Sequence, residues 1–279
     1  MLAGCQIFPS DNPWNEDISA LPIRIDSDTF INSIGLAKNL HPDFGTNPTY
    51  GIPINIVAKT QVKVPITFTA YGSESDPGPY PIPANAAVEG GKNATGDRHV
   101  VVLQKGTCLL YELSYARKNA TGGGWLADAG AIFDLHVNTL RPAGWTSADA
   151  AGLPILPGLV RYDEVARGAI KHAIRFTAPY TQKGYINPAR HFAGSNDHIL
   201  PPMGLRVRLK ASYNISKLTG QAKIIAVALK KYGLILADNG SPWFFQGAPD
   251  PRWNDKQLNQ LKQIPASAFE AVDTGPISY

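Results

Sequence analysis

The sequence predicts a mainly β protein of the α+β type: an antiparallel, β-sandwich-like core with two or three short helices and a long N-terminal arm. Three observations point there. Short β-branched or aromatic runs recur from Ile54 onward, each bounded by Gly, Pro or Asn. Gly (26) and Pro (23) are abundant in the 279 residues, which favours many turns over long helices. Helical periodicity is confined to a few short stretches. No compositional shift marks a boundary, so residues 1–279 read as one domain, with residues 1–50 as an arm packed on the core.

The arm is punctuated by Pro and Gly ("FPSDNPWNEDISALP", "LHPDFGTNPTYGIP") and carries the apolar anchors Phe8, Trp14, Ile18 and Leu21. Within it, residues 26–37 suit one short helix capped by Asp26 or Ser27. The runs "INIVAK", "VKVPITFTAY", "RHVVVLQ", "CLLYELSYA" and "AIFDLHV" follow as strands, and Pro65 confines the second to a sheet edge or bulge. Lys105-Gly106 is placed to turn a hairpin. Residues 72–97 form a long loop of the kind that often serves as a lid or binding loop. "TSADAAG" reads as a single helical turn with Ser147 as cap and Gly152 as stop. "RYDEVARGAIKHA" reads as a second helix. A third, after Thr219, buries Ile224, Ala228 and Leu229 and stops at Gly233. "LILADNGSPWFF" reads as a hairpin on Asn239-Gly240, and Asn254 as the cap of a last short helix.

Charged residues are only 17% of the chain, a low fraction that suits a secreted or cell-surface protein. The net charge of +4 comes without a basic cluster, so nucleic-acid binding is not supported. Arg206, Arg208 and Lys210 alternate along one strand; they read as a solvated face, with an anion groove as the alternative. No apolar run of 18 residues exists to make a transmembrane helix. Cys5 and Cys108 suit one long-range disulfide, while "LAGC" leaves lipidation of Cys5 as the rival reading. Asn93, Asn119, Asn214 and Asn239 head possible glycosylation sequons.

No dinucleotide, P-loop, serine-esterase or zincin motif is present. No cofactor is implied, and the spacing of His191 and His198 gives no support to a metal. The candidate chemistry is therefore acid–base. Asp97 and His99 share a strand face directly after the long loop, where a carboxylate could orient an imidazole. Glu164 and His172 flank Gly168; on a continuous helix they would stand about 12 Å apart, too far for a direct dyad but able to wall a cleft. Arg98, Arg190 and His191 are candidate binding groups, and Trp125 and Trp145 are candidate sugar platforms. Packing is the competing role for every one of these residues.

The phrases "FPSDNPWN", "LHPDFG", "SDPGPYPIP", "GDRHVVVL", "AGLPILPGLVRYDEV", "IKHAIRF", "PPMGLRVRLKASY" and "YGLILADNGSPW" run along nearly the whole chain. Together they resemble a group of secreted bacterial and fungal proteins for which no activity is established. The resemblance implies an extracellular location and places both cysteines in the mature protein, and it carries no catalytic role. The expectation is a secreted carbohydrate-active protein, a polysaccharide hydrolase or lyase. The alternative is a non-catalytic surface protein, either a sugar-binding module or a subunit whose arm docks on a neighbour in self-assembly.

Overall fold

A computed structural model describes residues 1–279. Its strands, in chain order, begin with β1 (His41–Asp43), β2 (Ile54–Val57), β3 (Ile66–Phe68), β4 (Val100–Gln104) and β5 (Leu109–Ser114). They continue with β6 (Arg117–Lys118), β7 (Trp125–Ala127), β8 (Ala129–Asp134), β9 (Ile174–Ala178) and β10 (Arg206–Leu209). The last three are β11 (Leu234–Asn239), β12 (Phe244–Gln246) and β13 (Phe269–Ala271). The helices are α1 (Ser27–Gly35), α2 (Tyr162–Ala166), α3 (Gly220–Lys231) and α4 (Asp255–Leu258).

The strands form three sheets, of orders β1-β12-β9-β11-β10-β13, β2-β4-β5-β8 and β3-β7-β6. The four-stranded sheet lies in the middle. Its period-2 pattern sends Val101, Leu103 and Leu110 into a large core shared with the six-stranded sheet. Val100, Val102 and Tyr111 turn the other way, into a smaller core with Trp125 and Ala127 of the three-stranded sheet. The result is mainly β and sandwich-like, but the sheets are mixed. The pairs β1–β12, β9–β11, β2–β4 and β3–β7 are parallel, because each joins segments linked by a crossover rather than by a tight turn.

Several local readings hold. β4 and β5 pair antiparallel around Gly106, whose φ of +87° needs no Cβ. α3 ends before Gly233 at φ +66°. The Asn254 side chain caps α4 by accepting from the Gln257 N–H at 3.1 Å. In α3, however, Ile225 rather than Ile224 is fully buried.

Other readings give way to tertiary pairing. β11 and β12 do not form a hairpin; both pair with β9, one on each side, so the Asn239–Trp243 link crosses over β9. "TSADAAG" is not helical. Ser147 Oγ accepts from the Asp149 N–H and donates to Leu153 O, holding an irregular loop. Arg206 and Arg208 are buried, not solvated. Arg206 donates to the carbonyls of Pro13, Glu16 and Tyr232, and Arg208 donates to those of Ile18 and Leu21. These bonds clamp the arm, whose Phe8, Trp14 and Ile18 are buried as anchors. Cys5 and Cys108 form a disulfide, which leaves no thiol at Cys5 to carry a lipid. No helix is long and apolar enough to cross a membrane.

Candidate functional site

A cleft of about 310 Å³ opens where the loop 72–97, the loop 146–152 and the end of β11 meet. Asp97, His99, His191, Asp149, Asp238, Tyr71 and Tyr115 line it. Two left-handed residues stand beside Asp97, its chain neighbour Arg98 and Tyr115, each at φ +50°. Backbone bonds Tyr115 N–H to Asp97 O (2.6 Å) and Ala116 N–H to Arg98 O (3.2 Å) hold both in that conformation. The Asp97 carboxylate raises the pKa of Tyr115, with smaller effects from Asp128 and Asp238.

The cleft wall rests on buried ion pairs. Asp149, fully buried, receives two bonds from the Arg175 guanidinium on β9. The loop carrying Asp149 is docked by the Ala151 N–H on Ala237 O, 3.0 Å away. The β9–β11 register slips between Leu236 and Asp238, and this bulge places Asp238 at the cleft. Burial, and then the charge of Asp149, push Asp238 up to about 7, against opposing pulls from Arg175 and His99. Glu112, buried behind the cleft on β5, is raised to about 7 mainly by burial although it accepts from the Ile155 and Leu156 N–H groups.

His99 occupies the place expected of a general base but is bonded at both ring nitrogens. Nδ1 lies 2.6 Å from Glu89 Oε2 and Nε2 lies 3.0 Å from Ala148 O. Two acceptors require two donors, so the ring is an imidazolium. Burial opposes that charge, but Glu89 overcomes it and raises His99 to about 9. The orienting carboxylate is therefore Glu89 from the long loop, not Asp97. With no free lone pair, His99 holds the wall and does not take protons. His191 donates Nδ1–H to Ala150 O at 2.7 Å, which leaves Nε2 facing Glu74 at 3.9 Å.

No family model matches this chain. No curated protein and no solved structure matches it either.

Glu164 and His172 lie outside the cleft and touch each other, with Nε2 to Oε2 at 3.0 Å. The helical spacing fails because α2 stops at Ala166 and Gly168, at φ +85°, turns the chain back on itself. Arg161 completes this buried cluster. Burial would raise Glu164, but His172 and Arg161 bring it down to about 2. This is a structural ion cluster rather than a cleft wall.

Arg98 spends its guanidinium on the carbonyls of Lys92, Ala94 and Ala116, fastening the long loop. Arg190 donates to Arg141 O and to the side-chain Oδ1 of Asn187. Trp125 is buried in the smaller core, and Trp145 stacks near Arg141 at 5.6 Å, away from the cleft lining. Of the sequons, Asn93 and Asn214 are exposed, whereas Asn239 is partly buried and donates to Thr181.

Asp97, His99 and His191 are thus brought together, and Asp149, Asp238, Glu89 and Glu112 were missed. One signal was present. "LLYELS", "IRFTA" and "LILADN" each set a charge inside an apolar strand, where it must find a partner or lose its charge. No group of three or more His, Cys, Asp or Glu converges as a metal set would.

Proposed function

We propose that the protein is an extracellular glycan hydrolase working through two carboxyls, with Asp238 as general acid and Asp97 as the carboxylate that assists water or the anomeric carbon. The observation that carries this is the placing of two carboxyls on one cleft, Asp238 partly buried and Asp97 exposed. A carboxyl with a pKa of about 7 on a cleft wall still holds its proton at the pH where an ordinary aspartate has lost it. A glycosidic oxygen needs such a donor, and the partner carboxylate completes the pair used in most glycoside hydrolysis. Tyr71 and Tyr115, about half exposed at the mouth, supply faces for sugar rings. The disulfide supports an oxidising, extracellular setting.

Hydrolysis suits the cleft better than elimination. A lyase acting on uronates must neutralise the substrate carboxylate, and no Lys or Arg is among the 15 lining residues. The non-catalytic assembly reading is weaker, since the arm that was to dock on a neighbour is spent on its own core.

Incubation with a polysaccharide panel, read for reducing ends and for unsaturated uronates, tests the proposal. Reducing ends are expected, falling at least 100-fold in Asp238→Asn with binding retained. Unchanged activity in that variant removes Asp238 from the mechanism. Binding without turnover in the parent protein makes this a sugar-binding module.

A further inference from the structure

The charge balance of the cleft narrows its substrate. Three carboxyls, Asp97, Asp149 and Asp238, are among the lining residues, and the basic side chains there are two histidines. Two of the cations at the wall are paired with carboxylates, and a third is turned onto backbone. His99 is neutralised by Glu89, and Arg175, behind the wall, is held by Asp149. Arg98 faces backbone carbonyls. Asp149 is likewise spent on Arg175, so Asp97 is the exposed negative charge at the mouth. Asp238 joins it as pH rises.

The aromatic groups point the same way. Tyr71 is 49% exposed and Tyr115 43% exposed, and both line the cleft that Asp97 borders. Tyrosine faces beside a carboxylate are the elements from which proteins build receptors for ammonium groups, because the ring quadrupole and the carboxylate attract the same cation. A neutral sugar gains only the stacking, whereas an anionic sugar meets the charge of Asp97 and finds no Lys or Arg in the lining.

We propose that the cleft selects glycans bearing free, protonated amines, that is, polymers of de-N-acetylated amino sugars, with Asp97, Tyr71 and Tyr115 as the ammonium-recognising groups. This inference rests on the glycan reading above but can fail separately. The amine, on the carbon next to the anomeric one, packs against the tyrosines at the mouth and is drawn by the charge of Asp97, so one carboxylate serves both recognition and the anomeric carbon while Asp238 addresses the glycosidic oxygen. Selection acts through electrostatics at an exposed mouth, so added salt weakens it.

Calorimetric binding of glucosamine tetramers, N-acetylglucosamine tetramers and galacturonate tetramers to the full chain at pH 6 tests this. The amine form is expected to bind at least 10-fold tighter than the N-acetyl form. That preference is expected to shrink several-fold between 50 and 500 mM salt. Asp97→Asn should erase most of it, and Tyr115→Leu, which also removes a stacking face, should weaken both forms while shrinking the amine preference several-fold. Near-ultraviolet circular dichroism confirms that both variants are folded.

Equal or tighter binding of the N-acetyl or galacturonate form overturns amine selection and leaves the glycan reading standing. A preference that survives both substitutions overturns the assigned residues. Tighter binding of a tetralysine peptide than of the glucosamine tetramer also overturns the proposal, because the cleft would then read amines without sugar. Absence of binding by all three glycans overturns the glycan reading itself.

Discussion

Replacing Asp238 by Asn should make the protein more stable at high pH, although it removes the proposed catalytic acid. The carboxyl is raised from its ordinary 3.8 to about 7, first by burial and then by Asp149. Its neutral form is the one the fold accepts. The associated stability is fully present below the unfolded value of 3.8 and is lost as pH rises through 7. A rise of that size corresponds to ~4 kcal/mol at most. Because the carboxyl borders an open cleft, screening reduces this to about 2 kcal/mol. Asparagine keeps the shape without the charge. Unfolding in urea at pH 4 and pH 8.5 should therefore show the variant gaining ~2 kcal/mol on the parent protein between the two conditions. Groups that titrate identically in both proteins, such as Glu112, cancel in the double difference. Parallel stability–pH curves, within about 0.5 kcal/mol, would refute the claim that Asp238 is neutral in the fold near neutral pH.

Two further outcomes follow from the buried charges. Asp149→Ala leaves Arg175 buried without its counter-charge and should cost about 3–5 kcal/mol in chemical unfolding. Glu164→Gln should destabilise the protein by a few kcal/mol, in the same approximate range, yet leave turnover per folded molecule unchanged. Because Glu164 is lowered to about 2, its contribution is present above an ordinary 4.5 and fades as pH falls through 2, so the loss is measured at neutral pH. A parallel loss of kcat would return Glu164 to the active site.

Local features were legible where local physics decides them. The β4–β5 hairpin follows from alternation and a glycine turn, and α4 from the Asn254 cap. Features set by distant partners were not. "ADNG" carries a strong hairpin signal, but β9 offers both of its edges and the turn becomes a crossing. The continuous helix expected across Gly168 fails because the chain turns there and lets Glu164 pair with His172. The partner of His99 could not be read from the strand it sits on, since Glu89 reaches it from the irregular loop ten residues earlier. Asp97 lines the cleft because it ends the long loop, and loops run over the surface where clefts open.

The clamp on the arm sets an order of events during synthesis. Arg206 closes on Pro13 and Glu16 across 193 and 190 residues, so the arm emerges long before its fastener exists. At about 5–20 residues per second that delay is roughly 10–40 s. Cys108 arrives after 103 residues, about halfway through the wait. Where oxidation keeps pace with translation, the disulfide tethers the arm to the nascent β4–β5 hairpin while its final carbonyl acceptors stand idle. The covalent link then acts as a basting stitch, put in early so that a seam closed much later falls in the right place.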